Sequence, residues 1–387
     1  MAMAAKYLIP VHCEQLEHGM YIAELDRSWL HTPFEVRGLL ITQDEQIDIL
    51  RRSCEYVYVD PNRSESITMH DLYPSDLHAP AIPGAPPDEE FLPLNGCREF
   101  LEEATEHVAA TVREARRAKR LAIDPFDPYL DDFVDHVLEW PDAVQGLLAT
   151  EPAHGRLNRR SIGTAVYAIL FGRQLGFNHD SLRELALGSL ILDIGKTGVP
   201  ITILSKPKRL NSVERSFVRR HVDSGLALVR LNTHMQRRVV DMVASHHERL
   251  DGSGYPRKIS GTEIPLYARI AGIADTYDAM TQNRGYATAR SGHAALRYLN
   301  SCRDIKFDAA LIDEFIHALG VYPVGTNVVL EDGSVGMVCR HNPDEPKRPD
   351  VLLVRDPEGY PLEPASVAGR APNNRVRRAL PAAVPAH

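Results

Sequence analysis

Two adjacent histidines, His246 and His247, end an apolar run, and a glycine-rich turn containing Tyr255 and Pro256 follows at once. Neutral imidazoles bind Fe, Mn or Zn, and carboxylates complete many such sites. Further His and Asp residues lie upstream and downstream of the pair: Asp193, His221, Asp275 and Asp278. These residue types indicate a mixed imidazole and carboxylate metal site.

Residues 125–320 show helical periodicity almost throughout. A core face is predicted from a group of neighbouring apolar residues: Val166, Ile169, Leu170 and Phe171. Gly176 suits the end of that helix, and Asn178 suits the N-cap of the next. Asn211 and Glu214 have capping-box spacing. Val239, Val243 and His246 share one helical face, and so do Asp275 and Asp278. We therefore expect separate helices to direct His and Asp side chains into one bundle interior.

The ordered set resembles the HD-GYP family of metal-dependent phosphodiesterases, which hydrolyse cyclic di-GMP. The segment His-His-Glu-x-x-Asp-Gly-Ser-Gly-Tyr-Pro at 246–256 carries the resemblance, and further positions agree in order: Asp193, Lys196, His221 and Asp275. The resemblance implies metal ligands at Asp193, His221, His246, His247 and Asp275. It also implies catalytic roles for Lys196 and Asp278, and substrate binding by Tyr255 and Arg284.

The chain departs from the family pattern at two implied ligands of a first metal. The histidine of the family's His-Asp pair is Leu192 here, and an earlier histidine is replaced by Arg160. Leucine cannot coordinate, and arginine stays positively charged at any usable pH. The ligand set implied for the second metal is complete. We therefore expect one divalent transition metal rather than two, with Fe or Mn favoured over Zn, and a contact from Arg160 to Asp275 or Asp193.

Each of these residues also has an ordinary structural explanation. A histidine such as His221 on an amphipathic helix is usually structural, and Asp275 could simply pair with a cation. Lys196 could contact a phosphate or only pair with Asp278, and Tyr255 could only shape a turn. Three functions stay open: a phosphodiesterase with weak or lost hydrolysis, a non-catalytic cyclic di-GMP-binding protein, and a scaffold that makes only protein contacts.

The remaining sequence predicts a mainly α protein with small domains at both ends. Residues 1–60 read as a small α/β regulatory domain, resembling a domain of unknown function often fused to HD-GYP domains, with β-type runs at 7–11, 20–23 and 56–59. The other predicted parts are a Pro-rich linker at 61–96, a connecting helix at 97–122, an HD-type helical bundle at 123–320, a small β appendage at 321–370 and a disordered tail at 371–387.

The charge and composition of the chain indicate which classes of partner are not expected. The net charge of −8 gives no overall signal for a DNA or RNA polymer or for an anionic membrane surface. No apolar run approaches the roughly 18 residues of a transmembrane helix, and the five cysteines are scattered without paired spacing. We expect a reduced cytoplasmic protein without a signal peptide. The resemblance implies cyclic di-GMP or a related cyclic dinucleotide as ligand, and signalling proteins that contact the GYP turn and the N-terminal domain.

Overall fold

A computed structural model describes residues 9–13, 16–25, 38–54, 56–60, 63–64, 94–121, 127–150, 157–206, 208–282, 289–368 and 375–380. The described chain is mainly helical, with a small sheet near each end, as predicted. It buries three separate hydrophobic cores, one in each sheet region and a large one in the helical body. Residues 65–93, which form most of the predicted Pro-rich linker, lie outside the described residues.

The N-terminal region is a four-stranded antiparallel sheet with one helix. Its elements are β1 Ile9–His12, β2 Tyr21–Leu25, β3 Leu39–Leu40, α1 Asp44–Ser53 and β4 Tyr56–Val59. The strand order is β1-β4-β2-β3. Helix α1 buries Ile47 and Leu50, and near its start the Gln46 side-chain oxygen accepts a hydrogen bond from the Gln43 amide at 3.0 Å. Strands therefore lie in all three segments where β-type runs are predicted.

The helical body supplies the scaffold of the candidate site. Its helices are α2 Leu94–Ala118, α3 Asp127–Glu139, α4 Pro141–Thr150, α5 Leu157–Gln174, α6 His179–Leu190, α7 Ile201–Leu204, α8 Ser212–Arg219, α9 His221–Arg230, α10 Arg237–Ser245, α11 Leu266–Thr281, α12 Gly292–Ser301 and α13 Ala309–Leu319. Short 3-10 helices span Ile194–Gly198 and Gly261–Glu263. Helix α11 packs against α5 and α10, and α9 packs against α10 and the first 3-10 helix.

Local sequence signals begin or end several of these helices at the predicted positions. The Asn178 side chain accepts a hydrogen bond from the Ser181 amide, 2.9 Å away, and Asn211 forms a capping box with Glu214. Gly176 has a φ of 74°, the left-handed conformation that closes a helix. Helix α2 begins at Leu94, inside the segment predicted as linker, because its apolar stripe already includes buried Cys97 and Phe100.

The C-terminal sheet has five antiparallel strands in the order β8-β7-β6-β5-β9. They span β5 Asn327–Leu330, β6 Val335–Arg340, β7 Asp350–Arg355, β8 Pro361–Ala368 and β9 Val376–Ala379. The prediction of a disordered tail from Ala371 is wrong for β9, because Val376 is buried and Ala379 pairs with Val328 of β5. Within the described residues, no helix is both long and apolar enough to cross a membrane.

Candidate metal centre

Four of the five predicted metal ligands converge on one point. Asp193 lies at the start of the first 3-10 helix, His221 begins α9, and His246 and His247 follow α10 directly. Each offers one ligand atom, and these atoms all lie within 4.8 Å of one another. We call these residues the four-residue cluster. Imidazole and carboxylate donors at such spacing suit a transition metal.

A glycine allows the Asp193 turn to reach α9. A Cβ atom on Gly195 would overlap the backbone carbonyl oxygen of His221 and the backbone amide of Gly225. Since backbone atoms cannot move aside as a flexible side chain can, only glycine fits this close approach. The contact between the 3-10 helix and α9 therefore fixes Asp193 beside His221, although the two lie 28 residues apart in the chain.

Backbone carbonyls orient two of the imidazoles. The Nδ1 atom of His221 donates to the carbonyl of Val218 at 2.6 Å, and that of His246 lies 3.2 Å from the carbonyls of Met242 and Val243. Only a protonated ring nitrogen can donate to a carbonyl, so in the neutral ring Nε2 keeps its lone pair. Metal-ligating histidines are commonly held in this way.

Two imidazole Nε2 atoms of the cluster have no hydrogen-bond partner among the described residues. His246 Nε2 is buried and has no hydrogen-bond partner among the described residues. His221 Nε2 lies 3.1 Å from Asp193 Oδ1, which in the neutral ring places one lone pair against another. A cation among these atoms would satisfy all of them, because each is a donor of electron pairs to a metal. The residues therefore fit a divalent metal.

The electrostatics favour the unprotonated forms that bind metals. Burial, together with the neighbouring imidazoles, lowers the pKa of His246 to about 4 and that of His247 well below its usual range. Burial acts to raise the pKa of Asp193, but Lys196 and His221 outweigh it and hold that pKa well below its usual range. These three donors are therefore free of protons at neutral pH.

A salt bridge adjoins the cluster. Arg160 of α5 donates from Nη2 to Asp275 Oδ1 of α11 at 2.6 Å, and its Nε lies 3.8 Å from Asp278 Oδ2. The predicted contact between Arg160 and a carboxylate is therefore present. Asp275 lies outside the four-residue cluster and pairs with this arginine. Leu192 is 3% exposed and belongs to the helical core.

The two predicted catalytic residues, Lys196 and Asp278, lie in different surroundings. Lys196 contacts the carboxylate of Asp193, not that of Asp278, and its side chain is 19% exposed. Asp278 is 2% exposed in its side chain and accepts a hydrogen bond from Gln282 Nε2 at 2.6 Å. It fits against α5 because Gly163 has no side chain, since a Cβ there would overlap Asp278 Oδ1. Lys196 therefore faces the cluster, whereas Asp278 lies behind Arg160.

The turn at 252–257 folds back over the cluster. The Tyr255 ring stacks on His247 with centroids 4.6 Å apart, and its backbone amide donates to the His247 carbonyl at 3.2 Å. Glu248 Oε1 anchors the end of the turn by accepting from the backbone amides of Arg257 and Lys258, at 2.7 and 3.1 Å. Tyr255 is thereby held against a predicted metal ligand.

Three residues of this site were not predicted from the sequence: Glu248, Gln282 and Arg219. Arg219 of α8 places its Cζ atom 4.9 Å from the centroid of the Tyr255 ring. The position of Glu248 could have indicated its role, because it directly follows the two histidines and precedes the turn that it anchors. Arg284, predicted to bind substrate, lies outside the described residues.

Comparison with known proteins identifies the family. Residues 142–311 match a family model described as HD domain, and residues 8–126 match a domain of unknown function, DUF3391. The chain is 31% identical over 347 residues to the cyclic di-GMP phosphodiesterase PA4108 of Pseudomonas aeruginosa. The aligned residues cover 86% of this chain and 81% of that protein.

Two further comparisons agree with this. A 3'3'-cGAMP-specific phosphodiesterase 1 of Vibrio cholerae is 42% identical over 120 residues, or 31% of this chain and 27% of that protein. The HDG"Y"P protein Bd1817 of Bdellovibrio bacteriovorus has the same fold, with a TM-score of 0.50 and 12% identity over 80% of this chain and 98% of that chain. The chain therefore belongs to the HD-GYP family of cyclic di-GMP phosphodiesterases.

Proposed function

We propose that the chain binds cyclic di-GMP or a related cyclic dinucleotide at the four-residue cluster, through one divalent transition metal, and hydrolyses it slowly. The observation that carries the proposal is the convergence of three imidazoles and one carboxylate, which include the unpartnered Nε2 of His246. The family supports the substrate class. Signalling proteins that contact the turn at 252–257 or the N-terminal region remain a prediction.

Fe or Mn suits the three imidazoles and one carboxylate of the cluster. When bound, such a metal polarises a phosphate oxygen and lowers the pKa of a coordinated water. The ligands proposed are Asp193, His221, His246 and His247. Asp275, predicted as a further ligand, is engaged by Arg160 and is assigned here to holding that arginine.

The other polar side chains of the site have separate roles in the proposal. Lys196 lies beside Asp193, where its ammonium group can contact a substrate phosphate and donate a proton to the leaving sugar oxygen. Arg160 adds a fixed positive charge beside the phosphate. Asp278 positions Arg160 rather than touching substrate, because its side chain is almost fully buried.

Two residues argue for slow hydrolysis. Leu192 packs in the apolar core and offers no electron pair, and Arg160 fills the space beside Asp275 with a cation that cannot activate water. Two-metal sites stabilise both the attacking and the leaving oxygen, whereas one metal with an arginine supplies only part of this stabilisation.

A non-catalytic binding protein is the second candidate, and the same two replacements favour it. It differs from the first in a single property: the substrate is bound but never cleaved. The affinity for cyclic di-GMP does not separate the two candidates, so product formation must be measured directly.

The test uses full-length protein purified under anaerobic conditions and loaded with Fe(II) or Mn(II). We expect one metal per chain, binding of cyclic di-GMP, and a linear dinucleotide product that accumulates over hours. His246→Ala should abolish metal binding, whereas His179→Ala, on a half-exposed histidine paired with Asp135, should leave it unchanged. Binding without product in any metal form would favour the second candidate. Wild-type protein that retains no metal and binds no dinucleotide would refute both.

A further inference from the structure

Within the part of the chain that the structure describes, the four-residue cluster is exposed to solvent at Asp193 and His247. His221 and His246 are each 1% exposed, whereas the Asp193 side chain is 20% exposed and His247 is half-buried. A ligand must therefore approach over Asp193 and His247. Its phosphates would meet the cations on that side, since a cyclic dinucleotide carries two negative charges.

Three described cationic side chains lie near this open side, and two of them already pair with carboxylates. Lys196 contacts Asp193, and Arg160 pairs with Asp275. The third, Arg219, is exposed and pairs with no carboxylate among the described residues. Its charge is therefore available to an incoming anion.

Arg219 is nonetheless held in a defined place. Its Cζ atom lies 4.9 Å from the centroid of the Tyr255 ring, a cation–π distance, and Tyr255 in turn stacks on His247. The Tyr255 ring therefore contacts both the Arg219 guanidinium and His247, a proposed metal ligand. It belongs to α8, an element separate from the turn that carries Tyr255.

We infer that Arg219 binds the phosphate of the cyclic dinucleotide that is not being cleaved. The two phosphates lie on opposite sides of one closed ring, so the second phosphate is held at a fixed distance when the first is at the metal. A planar guanidinium can donate two hydrogen bonds to one phosphate. This inference rests on the proposed function and assigns one residue to the recognition of two phosphates rather than one.

The surroundings of Arg219 support an anionic ligand. Residues 206–220 contain six Lys or Arg residues and one Glu, in a chain with a net charge of −8. The one acid, Glu214, is paired with Lys206 at 2.6 Å. The basic segment would attract an anion to this side of the molecule, because such local fields raise association rates. Arg219 is the member of the segment that also contacts Tyr255.

The experiment compares three variants of the full-length, metal-loaded protein by isothermal titration with cyclic di-GMP. Arg219→Gln should weaken binding about tenfold or more, as expected for loss of a charge-assisted phosphate contact. Arg219→Lys should recover part of the affinity. Arg215→Gln is the matched control, because Arg215 lies on the same helix, carries the same charge and donates to the Leu210 carbonyl instead.

A second probe, cyclic GMP, has a guanine but only one phosphate. Arg219→Gln should leave its affinity within about twofold, since long-range charge effects alone are small at physiological salt. Equal losses for both nucleotides, or equal losses from Arg219→Gln and Arg215→Gln, would overturn the inference. Unchanged metal content and circular dichroism exclude loss of the fold. Wild-type protein that binds no cyclic di-GMP would overturn the proposed function, and this inference with it.

Discussion

Arg160 and Asp275 form a salt bridge between α5 and α11, with Nη2 and Oδ1 2.6 Å apart, beside the carboxylate end of the four-residue cluster. The two residues lie 115 positions apart in the chain. The pair gives the site a permanent cation that is part of the protein. The positive charge at this position therefore does not depend on metal supply, unlike the charge held by the four-residue cluster.

Replacing this cation by a ligand should create a second metal position. We expect the double variant Leu192→His with Arg160→His to bind about two metals per chain rather than one, because imidazoles would join Asp275 and Asp193 as donors. Hydrolysis of cyclic di-GMP should rise at least tenfold, in line with two-metal stabilisation of the phosphate. Metal analysis by mass spectrometry and product analysis by chromatography measure the two effects together.

The single variants are the controls for this gain. Leu192→His alone should add no metal, because Arg160 still repels one, and should cost roughly 1–3 kcal/mol since it buries a polar ring in the apolar core. Arg160→His alone should raise metal content only slightly. Fast, metal-dependent hydrolysis by the wild type would contradict the proposal that the arginine-containing site is slow.

The sequence predicted the parts of this structure that depend on local signals. Asn178 and Asn211 begin helices because their side chains accept backbone N–H groups a few residues away. The predicted helical face shared by Val239, Val243 and His246 correctly placed His246 toward the bundle interior. Residues that are close in sequence supply both the signal and the partner in these cases, so no long-range information is needed.

Two partners were not predicted. The sequence suggested Asp278 as the ionic partner of Lys196, but Lys196 contacts Asp193, three residues earlier, because a 3-10 helix places side chains three residues apart on the same side. Strand β9 was missed because its sequence, Val376 to Ala379, is polar in the middle. It forms since backbone groups at the edge of β5 pair with any extended segment that reaches them. Neither outcome follows from residue types alone.

Gly195 should be required for the position of Asp193. Gly195→Ala should destabilise the protein by about 1–3 kcal/mol, because its Cβ would overlap backbone atoms of α9. Metal affinity should fall as well, since the Asp193 turn must shift. Gly198→Ala is the control within the same 3-10 helix, because no atom lies within 4 Å of its Cβ. Urea denaturation and metal titration measure both effects, and similar losses for the two variants would argue against a specific contact.

Glu248 should hold the turn that carries Tyr255. Glu248→Leu removes the acceptor of the Arg257 and Lys258 amides and should cost roughly 1–3 kcal/mol, the usual effect of leaving such groups unpaired. Hydrogen exchange at these two amides should accelerate, and cyclic di-GMP affinity should fall. Glu248→Gln keeps a carbonyl oxygen at the same place and should retain most of the protection. Unchanged exchange in the leucine variant would show that the turn is held by other contacts.

Asp142 should give the stability of the chain a pH dependence that is independent of the metal site. Burial raises its pKa to about 6, against the opposing effects of the His341 amide, Arg340 and Arg173. Since the folded pKa exceeds that of the unfolded chain, the carboxyl's contribution to stability is full below about pH 4 and is lost as the pH rises through 6. Asp142→Asn does not titrate, so relative to the wild type it should gain about 1–3 kcal/mol between pH 4 and pH 7.

Urea unfolding of the full chain at several pH values measures this difference between Asp142→Asn and the wild type. Asp344 is exposed and lies four residues beyond the end of β6, so Asp344→Asn is the matched control. Its unfolding curve should follow that of the wild type at each pH. His341, whose pKa is lowered to about 4 by burial and by Arg173, acts in the opposite direction with pH and is present in all three proteins, so it cancels in the comparison. Parallel pH profiles for Asp142→Asn and the wild type would mean that this carboxyl is already solvated, and that burial between α4 and the C-terminal sheet does not control its ionisation.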